Sequence, residues 1–156
     1  MTIPDDIASF GTVALAGFLG GMIGLEREIA DKPAGLRTHI FVASGAALLV
    51  LLAEGSIDFF QRNESESVIQ ADPIRVMQAI VVGISFLGAG TIIHRGGSSV
   101  EGLTTAASIF LTAGVGIATG VGRMLLAAAT AIFAIAVLVS VGWIERRLLG
   151  KQSDDS

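Results

Sequence analysis

The amino-acid sequence predicts an all-α, polytopic membrane protein with about five transmembrane helices. Three observations carry that prediction. Apolar residues make up 52% of the chain and the mean hydropathy is +0.74, more than a water-facing surface tolerates. They gather into runs close to the roughly 20 residues that take a helix across about 30 Å of hydrocarbon. The charged residues fall between the runs, and no Asp, Glu, Lys or Arg stands in the middle of one.

The first run covers 7–25 and follows Met-Thr-Ile-Pro-Asp-Asp, a start with no basic region. It is therefore expected to persist as a helix and not to be removed as a leader. Pro33 lacks an amide donor and disfavours helical geometry at Lys32, so this helix should end near Asp31, with Gly35 turning the chain. The second run, 40–55, is the short one and draws on its flanks Thr38 and His39. The third, fourth and fifth runs are 74–93, 102–122 and 124–144. Trp143 then marks an interface, and 145–156 forms a short cytoplasmic tail.

Orientation follows from the basic residues, which cytoplasmic connections hold in excess. With the N-terminus outside, Arg27, Lys32, Arg37, Arg95, Arg146, Arg147 and Lys151 lie inside, and Arg62, Arg75 and Arg123 outside. The expected topology is N-terminus out and C-terminus cytoplasmic. The outer connection 56–72 carries Asp58, Glu64, Glu66 and Asp72 against Arg62 and reads as a solvated loop, too loosely composed for the octahedral geometry Mg2+ demands. Whether the protein holds a metal stays open.

Within the runs, small residues and hydroxyls make the patterns. Gly17 with Gly21, and Gly20 with Gly24, are small-xxx-small pairs that let another backbone approach closely. Packing within one subunit is the favoured reading, and a homodimer joined through a glycine-lined face bearing Gly20 or Gly116 is expected beside it. Gly88 and Gly90 either loosen the third helix or pack closely, and Gly120 belongs to the same packing set. Thr105, Ser108, Thr112 and Thr119, with Gly116 beside them, fall on one stripe of the fourth helix. Gln78 and Ser85 make a shorter stripe on the third, and the two stripes could face each other across a polar groove; Thr104 borders the first. Hydroxyls bonded one turn back are the plainer account. His39 and His94 are read as interface anchors.

The connection between the first two helices is densely charged. Glu26, Arg27, Glu28, Asp31, Lys32 and Arg37 nearly balance in sign. This is either a solvated loop or a site for a partner or ion, in which Glu26 or Glu28 pairs with Arg37. Arg95 lies on the same side. Zero cysteines exclude a disulfide framework and a cysteine-ligated metal, and no basic block suits nucleic acid. No phosphate-binding loop or nucleophile motif is present, so the protein is not expected to be an enzyme and needs no cofactor.

Two motifs resemble those of one family. Gly24-Leu25-Glu26-Arg27-Glu28 with Lys32-Pro33-Ala34-Gly35-Leu36-Arg37-Thr38-His39 is similar to the first cytoplasmic junction of MgtC/SapB-family membrane proteins. GISFLGAGTIIHRGG, followed by Glu101-Gly102-Leu103-Thr104-Thr105-Ala106-Ala107, looks like that family's third and fourth helices. The resemblance covers about 14–147. It implies a multi-pass bacterial inner-membrane protein linked to low-magnesium growth, virulence-related survival and stress, which in some members inhibits the proton-driven ATP synthase. Many members continue into a C-terminal cytoplasmic domain, which this chain, ending at Ser156, is expected to lack. The expectation is a regulator acting through membrane partners; the rival is a carrier of small solutes or of cations such as Mg2+, using the polar stripes.

The topology has a direct test. Single cysteines replacing Ser65 and Ser153 in this cysteine-free chain should label with impermeant reagents from the outside and the inside respectively. Labelling of both from one side would mean that the helix count is wrong.

Overall fold

A computed structural model describes residues 3–63, 72–95 and 99–149. Five helices and one short hairpin follow in order: α1 (Ile3–Ile29), α2 (Leu36–Asn63), α3 (Pro73–Gly90), β1 (Ile93–Arg95), β2 (Ser99–Glu101), α4 (Leu103–Gly120) and α5 (Met124–Leu149). Four of the described helices are long and apolar enough to cross a bilayer, with apolar stretches at Asp5–Ile29, Leu36–Ser56, Leu103–Gly120 and Met124–Ile144. The short member is α3, whose apolar part is Ile74–Gly90, and not α2 as the hydropathy alone suggests. The side chains of Asp58, Arg62, His94 and Arg95, and the whole of Glu64, Glu66, Lys151 and the distal tail, lie outside what the structure describes.

Local chemistry sets these ends. Helix α1 stops at Ile29, where Asp31 takes a left-handed conformation at φ 54° and the amide of Lys32 donates to Arg27 O at 3.0 Å. Asp31, not Gly35, therefore makes the turn. Helix α2 starts as early as Leu36 because its first amide donates to the Glu28 carboxylate at 2.9 Å. Helix α3 begins on Asp72, which accepts from the Ile74 amide at 2.9 Å ahead of Pro73. It ends at Gly90, where the Thr91 hydroxyl donates to Gly88 O at 2.7 Å. The chain then turns through the antiparallel β1–β2 pair, Ile93 opposite Glu101. Gly102 brings it into α4 at φ 92°, where a Cβ would also collide with Thr91 O. The glycines near the end of α3 thus close a helix and do not break one in mid-membrane.

Helix α4 is the hub, touching α1, α2, α3 and α5. One apolar cluster joins Val42, Ala46 and Val50 of α2 to Ile80 of α3 and Ile109 and Ala113 of α4. A second joins Leu19 and Ile23 of α1 to Val115 of α4 and Ala127, Ala131 and Ala134 of α5. The outward surface is apolar too: Phe86 is 84% and Leu125 85% exposed, tolerable only where the surroundings are lipid. Between α2 and α3 a lateral groove of about 590 Å³ opens onto that surface, with Gly45, Gly83 and Arg75 among the residues that line it.

The tight contacts occur where glycines face neighbouring backbones. A Cβ at Gly20 would stand 2.6 Å from both His39 O and Ala43 Cβ, and one at Gly116 would run into Ala43 O. Gly17 and Gly21 lie against Ser44 and Ile40, Gly24 against His39 and Leu36, and Gly120 against Val50. These faces are filled from within one chain, which overturns the expectation that Gly20 or Gly116 joins two copies. Gly88 makes ordinary contact with Ala106, and Gly90 meets nothing within 4 Å. Gly116→Ala should cost about 1–3 kcal/mol and lower the thermal midpoint in detergent. Gly114→Ala, on the same helix but facing open space, should leave it unchanged or slightly raised. Equal effects at the two positions would refute the backbone contact.

Candidate functional site

Where α1 gives way to α2, the start of α4 closes over a buried polar cluster. His39 and Thr112 are fully buried, and Arg27, Thr105 and Ser108 nearly so; Thr119, also fully buried, lies at the other end of α4. The hydroxyl of Ser108 donates to Thr105 O at 2.9 Å, that of Thr112 to Ser108 O at 2.8 Å and that of Thr119 to Val115 O at 2.8 Å. Each satisfies a polar group one turn back within the same helix, as hydroxyls in apolar surroundings do.

His39 does something different. Its Nδ1 lies 2.9 Å from Gly35 O, one turn earlier on α2, and its Nε2 lies 3.2 Å from Ser108 Oγ on α4. A carbonyl only accepts, so Nδ1 carries a hydrogen. The ring thereby spans two helices, and both of its nitrogens are engaged. The reading of His39 as an interface anchor is therefore corrected: it is part of the bundle interior. The signal was in the sequence, since His39, Val42, Ala46 and Val50 recur at helical spacing and all four are buried.

The charged junction packs beneath this ring. Arg27, its side chain only 6% exposed, reaches the neighbouring Glu26 carboxylate with Nε at 2.5 Å and a terminal nitrogen at 2.8 Å. That two-pronged contact is the strong kind of ion pair. Glu28 accepts from the Leu36 amide, and its carboxylate fills the space where a Cβ on residue 35 would stand, which is why glycine occurs there. Arg37 points away and is exposed; among the described residues no ion pair joins it to Glu26 or Glu28.

Other sequence candidates fall elsewhere. Thr104, Gln78 and Ser85 are exposed, and the Ser85 hydroxyl donates to Val81 O at 2.7 Å. The α3 stripe therefore does not face the α4 stripe, which is turned toward α1 and α2. Arg95 lies in β1. At the far end of α5 the Arg147 guanidinium lies over the Trp143 ring, 4.5 Å from its centre, a contact suited to a membrane interface.

Known proteins place the chain. It matches the MgtC family over residues 13–147. It is 34% identical over 145 residues to protein SapB of Bacillus subtilis, covering 93% of this chain and 60% of that one. It is 35% identical over 138 residues to the putative magnesium transporter YhiD of Escherichia coli strain K12, covering 88% and 62%. It is 42% identical over 127 residues to protein MgtC of Brucella abortus, covering 80% and 48%. The chain thus spans about half to three fifths of these relatives' lengths. No solved structure matches it.

The junction geometry separates two arginines that look alike in sequence. Glu26→Ala would leave the Arg27 guanidinium buried without its carboxylate and should destabilise by about 3 kcal/mol or more. Arg37→Ala removes an exposed side chain and should stay within about 0.5 kcal/mol. Thermal unfolding of both variants in the same detergent checks this, and a larger loss for Arg37→Ala would refute the assignment.

Proposed function

The chain belongs to the MgtC family, as a multi-pass protein of the bacterial inner membrane, and from that premise we propose that it is a non-enzymatic regulator acting through contact with other membrane proteins. The observation that carries this reading is how the bundle interior is used. A solute path along α4 would need the hydroxyls of Ser108, Thr112 and Thr119, and these are bonded to the carbonyls of their own helix. Where such a path would run, Gly20 and Gly116 bring backbones together. Much of α3 and α5, by contrast, presents side chains outward, as in Val82, Phe86, Leu125 and Phe133. Such surfaces suit association with other helices in the bilayer.

The family resemblance supplies the setting of the proposal: low-magnesium adaptation, acid stress and virulence-related survival, with the proton-driven ATP synthase as a candidate partner and a homodimer as a candidate assembly. A homodimer would use faces other than those of Gly20 and Gly116. The orientation belongs to the proposal as well, with the α1–α2 junction on the cytoplasmic side. A second reading, a carrier of Mg2+ or another cation, is favoured by the name of the Escherichia coli relative, putative magnesium transporter.

Flux measurements decide between them. Reconstituted into liposomes holding a Mg2+-sensitive dye, the protein should give no Mg2+ entry beyond that of empty vesicles. Thr112→Val, which keeps the shape and removes the hydroxyl, should still support growth of a deletion strain at limiting Mg2+. A wild-type flux that Thr112→Val abolishes, at unchanged abundance, would put the carrier in the regulator's place.

A further inference from the structure

We propose that His39 and Ser108 form a proton-binding site within the bundle, in which a proton held on Nε2 ties α2 to α4. A count of hydrogens leads there. Three contacts run in series: Gly35 O to His39 Nδ1 at 2.9 Å, His39 Nε2 to Ser108 Oγ at 3.2 Å, and Ser108 Oγ to Thr105 O at 2.9 Å. Both ends of the series are carbonyl oxygens, which supply no hydrogen. The first contact therefore takes its hydrogen from Nδ1. The last takes the single hydrogen of the serine hydroxyl. While the serine hydroxyl stays on Thr105 O, the middle contact needs a hydrogen on Nε2, and a ring with hydrogens on both nitrogens is an imidazolium.

With a neutral ring, two hydrogens must serve three contacts. Either the serine turns from Thr105 O to Nε2, or two lone pairs face each other across the gap between α2 and α4. Uptake of one proton supplies the missing hydrogen, so that the bridge between residues 69 apart in sequence and the serine's bond to Thr105 O are held together. The proton is taken from water and returned to it, and no other bond changes.

The surroundings define the site. From α1, Arg27 and Glu26 face it as an ion pair, and Glu28 stands at the Gly35 end. From α4 it meets Thr105 and Ser108, with Thr112 one turn on, and no charged side chain of that helix; Glu101 precedes α4 and is exposed. On α2 itself, Arg37 is exposed. The site is independent of which partner the bundle contacts, so it survives or fails apart from the regulatory reading.

Imidazole 15N shifts test it. His94→Gln leaves His39 as the sole histidine of a two-histidine chain. In lipid nanodiscs, acidification across about pH 8 to 5 should convert the His39 ring from one tautomer, with unlike nitrogens, to the doubly protonated form with like ones. The change should follow a single-proton curve. Ser108→Ala in the same background removes the acceptor of the Nε2 hydrogen and should move the midpoint about one unit toward acid. A ring that keeps one tautomer throughout, or a midpoint indifferent to Ser108→Ala in a folded protein, would overturn the proposal. Should Ser108→Ala fail to fold, Ser108→Thr keeps the hydroxyl and should titrate as the parent does; a midpoint shifted as far as alanine's is expected to shift it would count against the site.

Discussion

Inside a bilayer, apolar side chains gain little by leaving lipid for protein, so helices must be held by close packing and by hydrogen bonds between buried groups. This chain meets that demand where α1, α2 and α4 approach at backbone distance. Gly20 leaves room for His39 O and Ala43, Gly24 for the His39 side chain, and Gly116 for the Ala43 carbonyl. Much else follows from this approach. Because α1 and α4 close on the same turn of α2, the residue at that turn is buried whatever its chemistry. That residue is His39, and a buried imidazole must find a partner for each nitrogen or forfeit about 1–3 kcal/mol. Gly35 O and Ser108 Oγ are those partners.

The same packing accounts for how the hydroxyl stripe of α4 is satisfied. A stripe of Thr and Ser can line water or can satisfy its own helix, and sequence spacing is the same in both cases. What separates them is the neighbour. Here the stripe meets the backbones of α1 and α2 closely at Gly20 and near Ala43, and the hydroxyls turn to carbonyls one turn back. Ser108 differs in that its oxygen also lies within reach of a ring on another helix.

Hydropathy made the architecture legible: the helical class, the apolar runs and the small-residue faces all rest on composition and spacing that a bilayer strictly constrains. The helix ends were less legible because they depend on single contacts. Nothing in the local sequence requires Glu28 to cap Leu36, or Asp31 to take the left-handed turn that Gly35 would accept more cheaply. The hairpin after α3 was hidden for a related reason. Ile92 and Ile93 prolong the apolar run, while the helix stops at Gly90 under the Thr91 cap. The candidate site was half legible. Glu26, Arg27, Glu28, Thr105 and Ser108 were singled out by type, but Arg37 was preferred as the pairing arginine because long-range charge balance is visible in sequence and burial is not. Helical phase would have separated them: Gly20, Gly24 and Arg27 share the buried face of α1, and Arg37 lies two residues from His39, on another side of α2.

Position along the bundle gives the buried histidine its consequence. Helix α4 touches every other helix, whereas α3 rests mainly on α4 and leaves most of its surface outward. The first turns of α4 lie next to the end of α3, with the β1–β2 pair and Gly102 between the two helices in sequence. The bridge from His39 reaches α4 at Ser108, one turn beyond Thr105 and close to where α3 meets α4 at Gly88 and Ala106. A bond that forms or breaks between α2 and Ser108 thus acts on the helix that carries α3. Outward apolar faces occur on every helix, those of α3 and α5 among them, and α4 is one of the elements that connect the junction to them. Under the proposed reading of a protein that works by contact, the buried histidine would lie away from the outward faces and act on them through the packing of α4.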